Sequence, residues 1–286
     1  MHLKKAIVAV TNDLTTDQRV DRTCHTLITS GYDVMLAGRN LKHSLPLAPR
    51  SYRLHRMRLL FNKGPLFYAE YNIRLFIYLL AHKSDLIVSN DLDTLLASFL
   101  AYRMKNLLPL SLRRGGRGVR SSSEGGRGVG ILHDCHEYYR GMPELMGRKR
   151  TTRIWKWIED SIFPKLKYVI AVNDSIAKLY YEDYGNEIVV IRNVPFRKQK
   201  GKMKPKEELG IEPHQKVIIY QGAVNIDRGL EEVIQAMKYL RSDAKLIIAG
   251  IGDIYEKLTE LVKHEKVPGK VILTGQIPFQ DLHAYT

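Results

Sequence analysis

The chain has 286 residues, 44% of them hydrophobic and 26% charged, which excludes a disordered or fibrous polymer and suggests about two globular domains. No apolar run approaches the roughly 20 residues that cross a bilayer, and Met1 to Lys5 leads into a strand pattern rather than a secretory leader, so a cytoplasmic location is expected. A formal charge of +15 exceeds what solubility requires; unless the whole proteome is basic, it points to nucleic acid, an anionic membrane surface or a phosphate-bearing substrate.

In chain order, Lys5–Val10 reads as a buried strand and Asp17–Ser30 as a helix, with Val20, Cys24, Leu27 and Ile28 on one face and Gly31 as its stop. Asp33–Ala37 is the next strand. Pro65–His82 reads as a long amphipathic helix, Asp85–Ser89 as a strand and Asp91–Lys105 as a helix, a βαβ rhythm. Gly130–His133 is a short strand, Thr151–Leu166 a helix with Trp155 and Trp157, and Lys167–Val172 a strand. Asp174 is expected to cap a helix running to Tyr184, and Glu187–Ile191 closes a first domain spanning 1–194. Asn193–Lys206 has the composition of a linker. A second domain, 195–286, holds three strand-glycine-helix units starting at Val217, Ala244 and Lys270. Three such units bury little apolar surface, because a doubly wound domain normally needs about 150 residues; this second domain is expected to be incomplete, poorly stable and without a closed core. The fold class is α/β, two Rossmann-like domains.

Two passages need separate treatment. Arg113–Gly130 repeats Gly-Gly-Arg-Gly-Val at 115–119 and 125–129 around a Ser-rich spacer, and its glycines are too costly to order without apolar burial, so a disordered surface loop is expected. Arg-Gly tracts also bind RNA by charge and stacking, but this one lacks aromatic residues, and nucleic acid is not the expected partner. Cys24 and Cys135 are the only cysteines; Cys24, on the apolar stripe of its helix, reads as a reduced core thiol.

Polar constellations follow several strands, where open α/β sheets bind ligands. In Thr11–Val20, Asn12 and Asp13 are placed to accept from sugar hydroxyls and Arg19 adds charge, while Asp13 or Thr16 would alternatively cap the helix. In Ser89–Asp93, Asp91 and Asp93 either orient acceptor hydroxyls or cap the following helix. The run His133-Asp134-Cys135-His136-Glu137 has metal-like residues, but a strand leading into a loop does not present both histidines on one helix face, and hydrogen bonding of His136 to a sugar is the better use. In the second half, Gly222, Gly250, Gly252 with Asp253, and Gly275 with Ile277 mark three glycine turns on one sheet edge. Arg228, entering a helix, suits diphosphate oxygens, and the other reading of these glycines is tight-turn geometry without a ligand.

The ordered series Asn12-Asp13 with Asp17 and Arg19, Asp134–Glu137, Val172–Ser175, Ile191–Pro195 and the turns at Gly222, Gly250 and Gly275 resembles the retaining group 1 glycosyltransferases of the GT-B fold, family four-like, over nearly the whole chain. That resemblance implies an acceptor-side first domain with Asn12, Asp13, Arg19, Asp91, Asp93 and Glu137. It also implies a nucleotide-sugar second domain with Gly222, Arg228, Gly250, Gly252, Asp253, Gly275 and Ile277. His136 would contact the transferred sugar, Arg228 would hold the diphosphate, and no metal or other cofactor would be needed. The position after Gly222, commonly a second phosphate-binding arginine in the family, is Ala223 here. The family's paired glutamates fall beyond Thr286, so a C-terminally truncated chain of little or no activity is expected.

The function so implied is transfer of a sugar from a nucleotide donor to a saccharide or lipid-linked acceptor. A nucleotide-sugar epimerase of the same architecture and a basic RNA-binding protein are the alternatives. Tyr52–Lys63 and the aromatic-rich helix 65–83 would suit a peripheral hold on anionic lipid, or the helix is core.

Overall fold

The computed structural model describes residues 3–15, 17–41, 44, 46–107, 128–141, 148–194, 204–240, 243–267, 269–277 and 281–285. The chain separates into two compact units, Met1–Val194 and Pro195–Thr286.

In the first unit, strands β1 (Lys4–Ala9), β2 (Tyr32–Asn40), β3 (Arg53–Arg58), β4 (Leu86–Asn90), β5 (Gly130–Cys135), β6 (Val169–Ala171) and β7 (Val189–Val190) form one sheet in the order β3-β2-β1-β4-β5-β6-β7. Every pairing is parallel. The central strands are apolar runs because a parallel sheet is covered on both faces; Ala6 to Ala9 and Ile87 to Val88 are buried. Helices α1 (Gln18–Thr29), α2 (Gly64–Ala81), α3 (Asp91–Leu107), α4 (Lys149–Ile162) and α5 (Asp174–Tyr184) supply the cover. The chain winds outward from β1 to β3 and then crosses back to β4 on the far side of β1. The strand order therefore reverses between β1 and β4, the kind of switch point beyond whose C-terminal strand ends open α/β sheets bind their ligands.

Several expectations need correction. Arg53–Arg58 is a strand that its sequence, Arg-Leu-His-Arg-Met-Arg, disguises: it is the sheet edge, where charged side chains are tolerated and blunt edge-to-edge pairing. Asn173 rather than Asp174 caps α5, its side-chain oxygen accepting from Ile176 N at 2.8 Å, and Asp174 is the first helical residue. The helix expected over 151–166 starts at Lys149 and ends at Ile162, after which Phe163–Lys165 makes one tighter turn around Pro164. Residues 113–127 of the insertion lie outside the described residues. Its last residues do pack, because Asn106 at the end of α3 donates to Val129 O and accepts from Val129 N, leading into β5 at Gly130. Cys24 and Cys135 are free, buried thiols.

In the second unit β8 (Lys216–Gln221), β9 (Ala244–Ala249) and β10 (Val271–Gly275) pair in parallel in the order β10-β9-β8, with α6 (Leu230–Ala236) and α7 (Tyr255–His264) between them in sequence. Leu230 and Ile234 of α6, Leu246 and Ile248 of β9, and Leu258 and Val262 of α7 belong to one buried cluster. A small core thus closes where none was expected, because both helices lay their apolar stripes on the central strand. Val217 and Ile218 on β8 remain exposed.

Candidate functional site

Three strand tips of the first unit meet at the reversal point. After β1, Thr11 to Thr15 folds into two side-chain-closed turns: Asn12 Oδ1 accepts from Leu14 N at 2.9 Å, and Asp13 Oδ1 accepts from Thr15 N at 3.2 Å and from Thr15 Oγ1 at 2.6 Å. Leu14 takes a left-handed φ of 70°. Arg39 N donates to Asn12 O at 2.9 Å and Arg56 Nε to Asp13 O at 2.8 Å, so β2 and β3 hold the loop from below. Gly38 makes room for it, because a Cβ there would lie 2.4 Å from Leu14 Cδ2 and 2.6 Å from Asn12 O.

The cap of α1 is Asp17, which accepts from Val20 N at 3.0 Å and, through its other oxygen, from Asn12 Nδ2 at 2.8 Å. Neither Asp13 nor any other described residue of the loop takes that place, and Thr16 lies outside the described residues. Arg19, one residue into α1, is directed inward. Its Nη2 and Nε fork onto Asp134 of β5 at 2.5 Å and 3.1–3.2 Å, and Nη1 donates to Ile191 O at 2.8 Å.

Asp91 and Asp93 open α3 directly after β4. Asp91 sits at φ 57°, an unusual backbone for a residue other than glycine, and its carboxylate reaches β5: Oδ1 accepts from His136 N at 2.9 Å and Oδ2 lies 3.3 Å from His136 Nδ1. The other imidazole nitrogen, Nε2, lies 3.4 Å from Asp134 Oδ2. Asp93 Oδ2 accepts from Thr11 Oγ1 at 2.6 Å, and Asn72 of α2 donates to Asp93 O at 2.9 Å while accepting from Ala97 N. Glu137 is exposed just beyond.

These contacts set the charges. Burial alone would keep His136 neutral, but Asp134 and Asp91 on its two nitrogens outweigh it and raise the imidazole to about 9, so the ring is an imidazolium at neutral pH. Burial would raise Asp134, yet the His136 imidazolium 3.4 Å away and the fork from Arg19 hold it below the usual carboxylate range. Burial pushes Asp91 up to about 6, and burial with the neighbouring Asp91 charge pushes Asp93 up to about 7. His133 is separate from this cluster: it is buried, contacts Ser89 O and the ring edge of Phe163, and is lowered by burial to about 4. The two histidines of the run therefore serve different environments, and no His, Cys, Asp and Glu group among the described residues has metal-site geometry.

In the second unit the glycine turns are laced together. Gly222 N donates to Ala249 O at 3.1 Å, Gly250 N to Gly275 O at 3.0 Å, and Val224 N to Ile251 O at 3.1 Å. A Cβ on Gly250 would lie 1.9 Å from Gly222 O, and one on Gly252 would lie 2.3 Å from Val224 O, so these two glycines are required by turn-on-turn packing whether or not a ligand is present. Gly275, at φ 72°, has nothing nearer than Tyr255 Oη at 3.9 Å and leaves open space. Asp253 N lies 3.3 Å from Asn225 Oδ1, and Ile277 is partly exposed after β10. Arg228 and Ala223 are exposed, and Arg228 makes no hydrogen bond or ion pair among the described residues.

Sequence reasoning missed Asp134 as the hub of the cluster, as well as Thr11, Asn72 and Gly38. Asp134 left a signal: an aspartate inside the apolar strand Gly-Ile-Leu-His-Asp-Cys needs a buried cation, and Arg19 beside Val20 in the first helix is one.

Two Rossmann-like units of parallel strands, each with polar or glycine turns at its strand tips, define a GT-B type of protein. Family models match both units: Glycosyltransferase Family 4 over residues 17–194 and Glycosyl transferases group 1 over residues 202–286. The chain belongs to Glycosyltransferase Family 4, within the group 1 glycosyltransferases.

The chain is similar to sucrose-phosphate synthase from Thermosynechococcus elongatus (TM-score 0.68, 16% identity, 98% of this chain and 72% of that one). It is also similar to Anabaena Alr3699/HepE, solved in complex with UDP-glucose (TM-score 0.64, 14% identity, 97% and 70%). At these identities the likeness is one of fold. Among curated proteins it is 33% identical over 72 residues to the "Uncharacterized glycosyltransferase MJ1607" of Methanocaldococcus jannaschii, a match spanning 24% of this chain and 18% of that relative's length.

Proposed function

We propose that the protein transfers a sugar from a nucleotide donor to a hydroxyl on a saccharide or lipid-linked acceptor, with retention at the anomeric carbon. The observation that carries this reading is Arg228, an exposed guanidinium without a partner among the described residues, following the turn that Gly222 opens. A forked cation beside a glycine turn suits diphosphate oxygens, and charge developing on a leaving diphosphate is where preorganised cations act most strongly. Gly275 and Ile277 would border the base, and Gly250, Gly252 and Asp253 would shape the turns between. The UDP-glucose bound by the Anabaena neighbour supports a nucleotide-sugar as donor. With Ala223 where the family commonly has a second arginine, the leaving charge would rest on Arg228 and on backbone N–H groups, with no metal assigned a role.

In the first unit Asn12, Asp13, Asp91, Asp93 and Glu137 line the acceptor side by this reading, Arg19 supports them through Asp134, and His136 provides a fixed positive charge near the transferred sugar. The test is incubation with a panel of nucleotide-sugars, with and without a membrane and saccharide extract. Nucleoside diphosphate release that requires the extract, with label entering an acceptor, is the expected result. Interconversion of the nucleotide-sugar without any acceptor would identify an epimerase instead, and release of neither kind would reject the reading.

A further inference from the structure

The corner between β3 and α2 has no part in the chemistry proposed above. On α2, Phe67, Tyr71, Leu75 and Leu79 are buried at four-residue spacing, so the helix is core on that side. Its outward seam runs through positions 66, 70, 73 and 77, where Leu66, Ile73 and Ile77 are 59%, 60% and 60% exposed. Glu70 occupies the fourth place on the seam, and a free glutamate there would break its apolar character.

Glu70 is not free. Its carboxylate accepts from Leu60 N at 2.9 and 3.0 Å, from Phe61 N at 3.0 Å and from Arg74 Nε at 2.7 Å. The Phe61 amide above all, with the Leu60 amide and Arg74, holds it below the usual carboxylate range, so it remains an ionised acceptor. The same bonds fix the loop with Leu60 and Phe61 standing outward, 79% and 44% exposed, over the gap that Glu70 would leave in the seam. Five large apolar side chains share one corner, beside exposed Arg58 and Lys63. From Arg53 to Lys83 the chain carries six lysines and arginines against one glutamate and no aspartate.

We infer that this corner rests on an anionic lipid bilayer, Leu60 and Phe61 entering the boundary between headgroups and acyl chains while Arg58 and Lys63 meet the lipid phosphates. Apolar anchors beside cations are what such a surface recognises. A second copy of the chain fits less well, because a two-fold contact would set this positive patch against itself. The contact is peripheral, as no helix among the described residues is long and apolar enough to cross a membrane. It does not depend on the donor reading.

The test is flotation of the full chain with neutral phosphatidylcholine vesicles and with vesicles containing roughly 30% phosphatidylglycerol. Binding to the anionic vesicles at low salt, weakened by added salt, is expected. Phe61→Ser with Ile77→Ser should weaken it at least about tenfold with an unchanged melting temperature, since both side chains are exposed. Lys63→Glu should weaken it about fivefold or more. No flotation at low salt would overturn the proposal, as would equal binding by the double variant. A dimer that the double variant dissociates, without vesicle binding, would assign the corner to self-association and overturn it equally.

Discussion

The guanidinium of Arg19 in α1 forks onto the carboxylate of Asp134 in β5, joining residues 115 positions apart in a pair whose side chains are 7% and 0% exposed. Asp134 also faces His136, so this pair couples the packing of α1 to the charge at the strand tips. Arg19→Met alone leaves a buried carboxylate with one of its two cations gone and its forked hydrogen bonds lost, and should destabilise the first unit by about 3 kcal/mol. The double variant Arg19→Met, Asp134→Leu should recover most of that loss in a denaturant titration. It should not restore His136 to its high pKa, which separates the structural role of Arg19 from the electrostatic role of Asp134.

Asp91→Asn keeps an oxygen for the His136 amide but removes the negative charge beside Nδ1. The His136 titration, followed by NMR, should move down from about 9 by roughly one unit or more. The sign for stability follows from a folded pKa above the unfolded one: His136 stabilises the fold fully below its ordinary value of 6.5 and loses that contribution as pH rises through about 9. In Asp91→Asn the loss should begin at lower pH. An unchanged His136 titration would mean that Asp91 is not its charge partner in solution.

Asp93, raised to about 7, works in the opposite way to a stabilising carboxylate. Its protonated form suits the folded state, so its contribution is present below the unfolded carboxylate range and is lost as pH rises through about 7. Asp93→Asn should therefore be more stable than wild type at pH 8.5, by on the order of 1–2 kcal/mol after allowance for solvent at the strand tip, with a smaller advantage at pH 5, which lies inside the window between the unfolded and folded values. Thermal melts at the two pH values measure the difference. An acceptor oxygen for Thr11 survives the substitution, so a matching loss of stability at both pH values would contradict the account.

Gly250→Ala would set a Cβ 1.9 Å from the Gly222 carbonyl oxygen and 3.0 Å from its carbonyl carbon, backbone atoms that cannot swing aside as the end of a flexible side chain would. The second unit should lose about 2 kcal/mol or more and the amides of β9 should lose hydrogen-exchange protection, while Gly269→Ala, with nothing within 4 Å, should change neither.

The apolar strands and the stripe of α1 were legible because burial on both sheet faces leaves a continuous run and a helix leaves a 3.6-residue period. β3 was not, since an edge strand of alternating basic residues looks like a charged surface segment. In α2 the core reading holds for one face, Phe67, Tyr71, Leu75 and Leu79, while Leu66, Ile73 and Ile77 lie on the surface. The positions of Asn12, Asp13, Asp91, Asp93 and His136 at strand tips followed from local pattern, but their partners did not. Arg19 with Asp134, and Thr11 with Asp93, are pairs created by the strand order, which brings β1, β4 and β5 side by side across more than 80 intervening residues. The glycines were visible as punctuation. That Gly250 and Gly252 serve neighbouring turns became evident only from the lacing of Gly222, Gly250 and Gly275.

The most direct measurement is calorimetric titration of the full chain with UDP-glucose, and with the corresponding GDP, ADP and dTDP sugars, for wild type and for Arg228→Ala. The expected result is saturable binding of at least one nucleotide-sugar that weakens about tenfold or more when Arg228 is removed, the scale of a charge-assisted forked contact. Binding that is indifferent to Arg228→Ala, or no binding of any of the four, would contradict the assignment of the Gly222, Gly250 and Gly275 turns as the donor site.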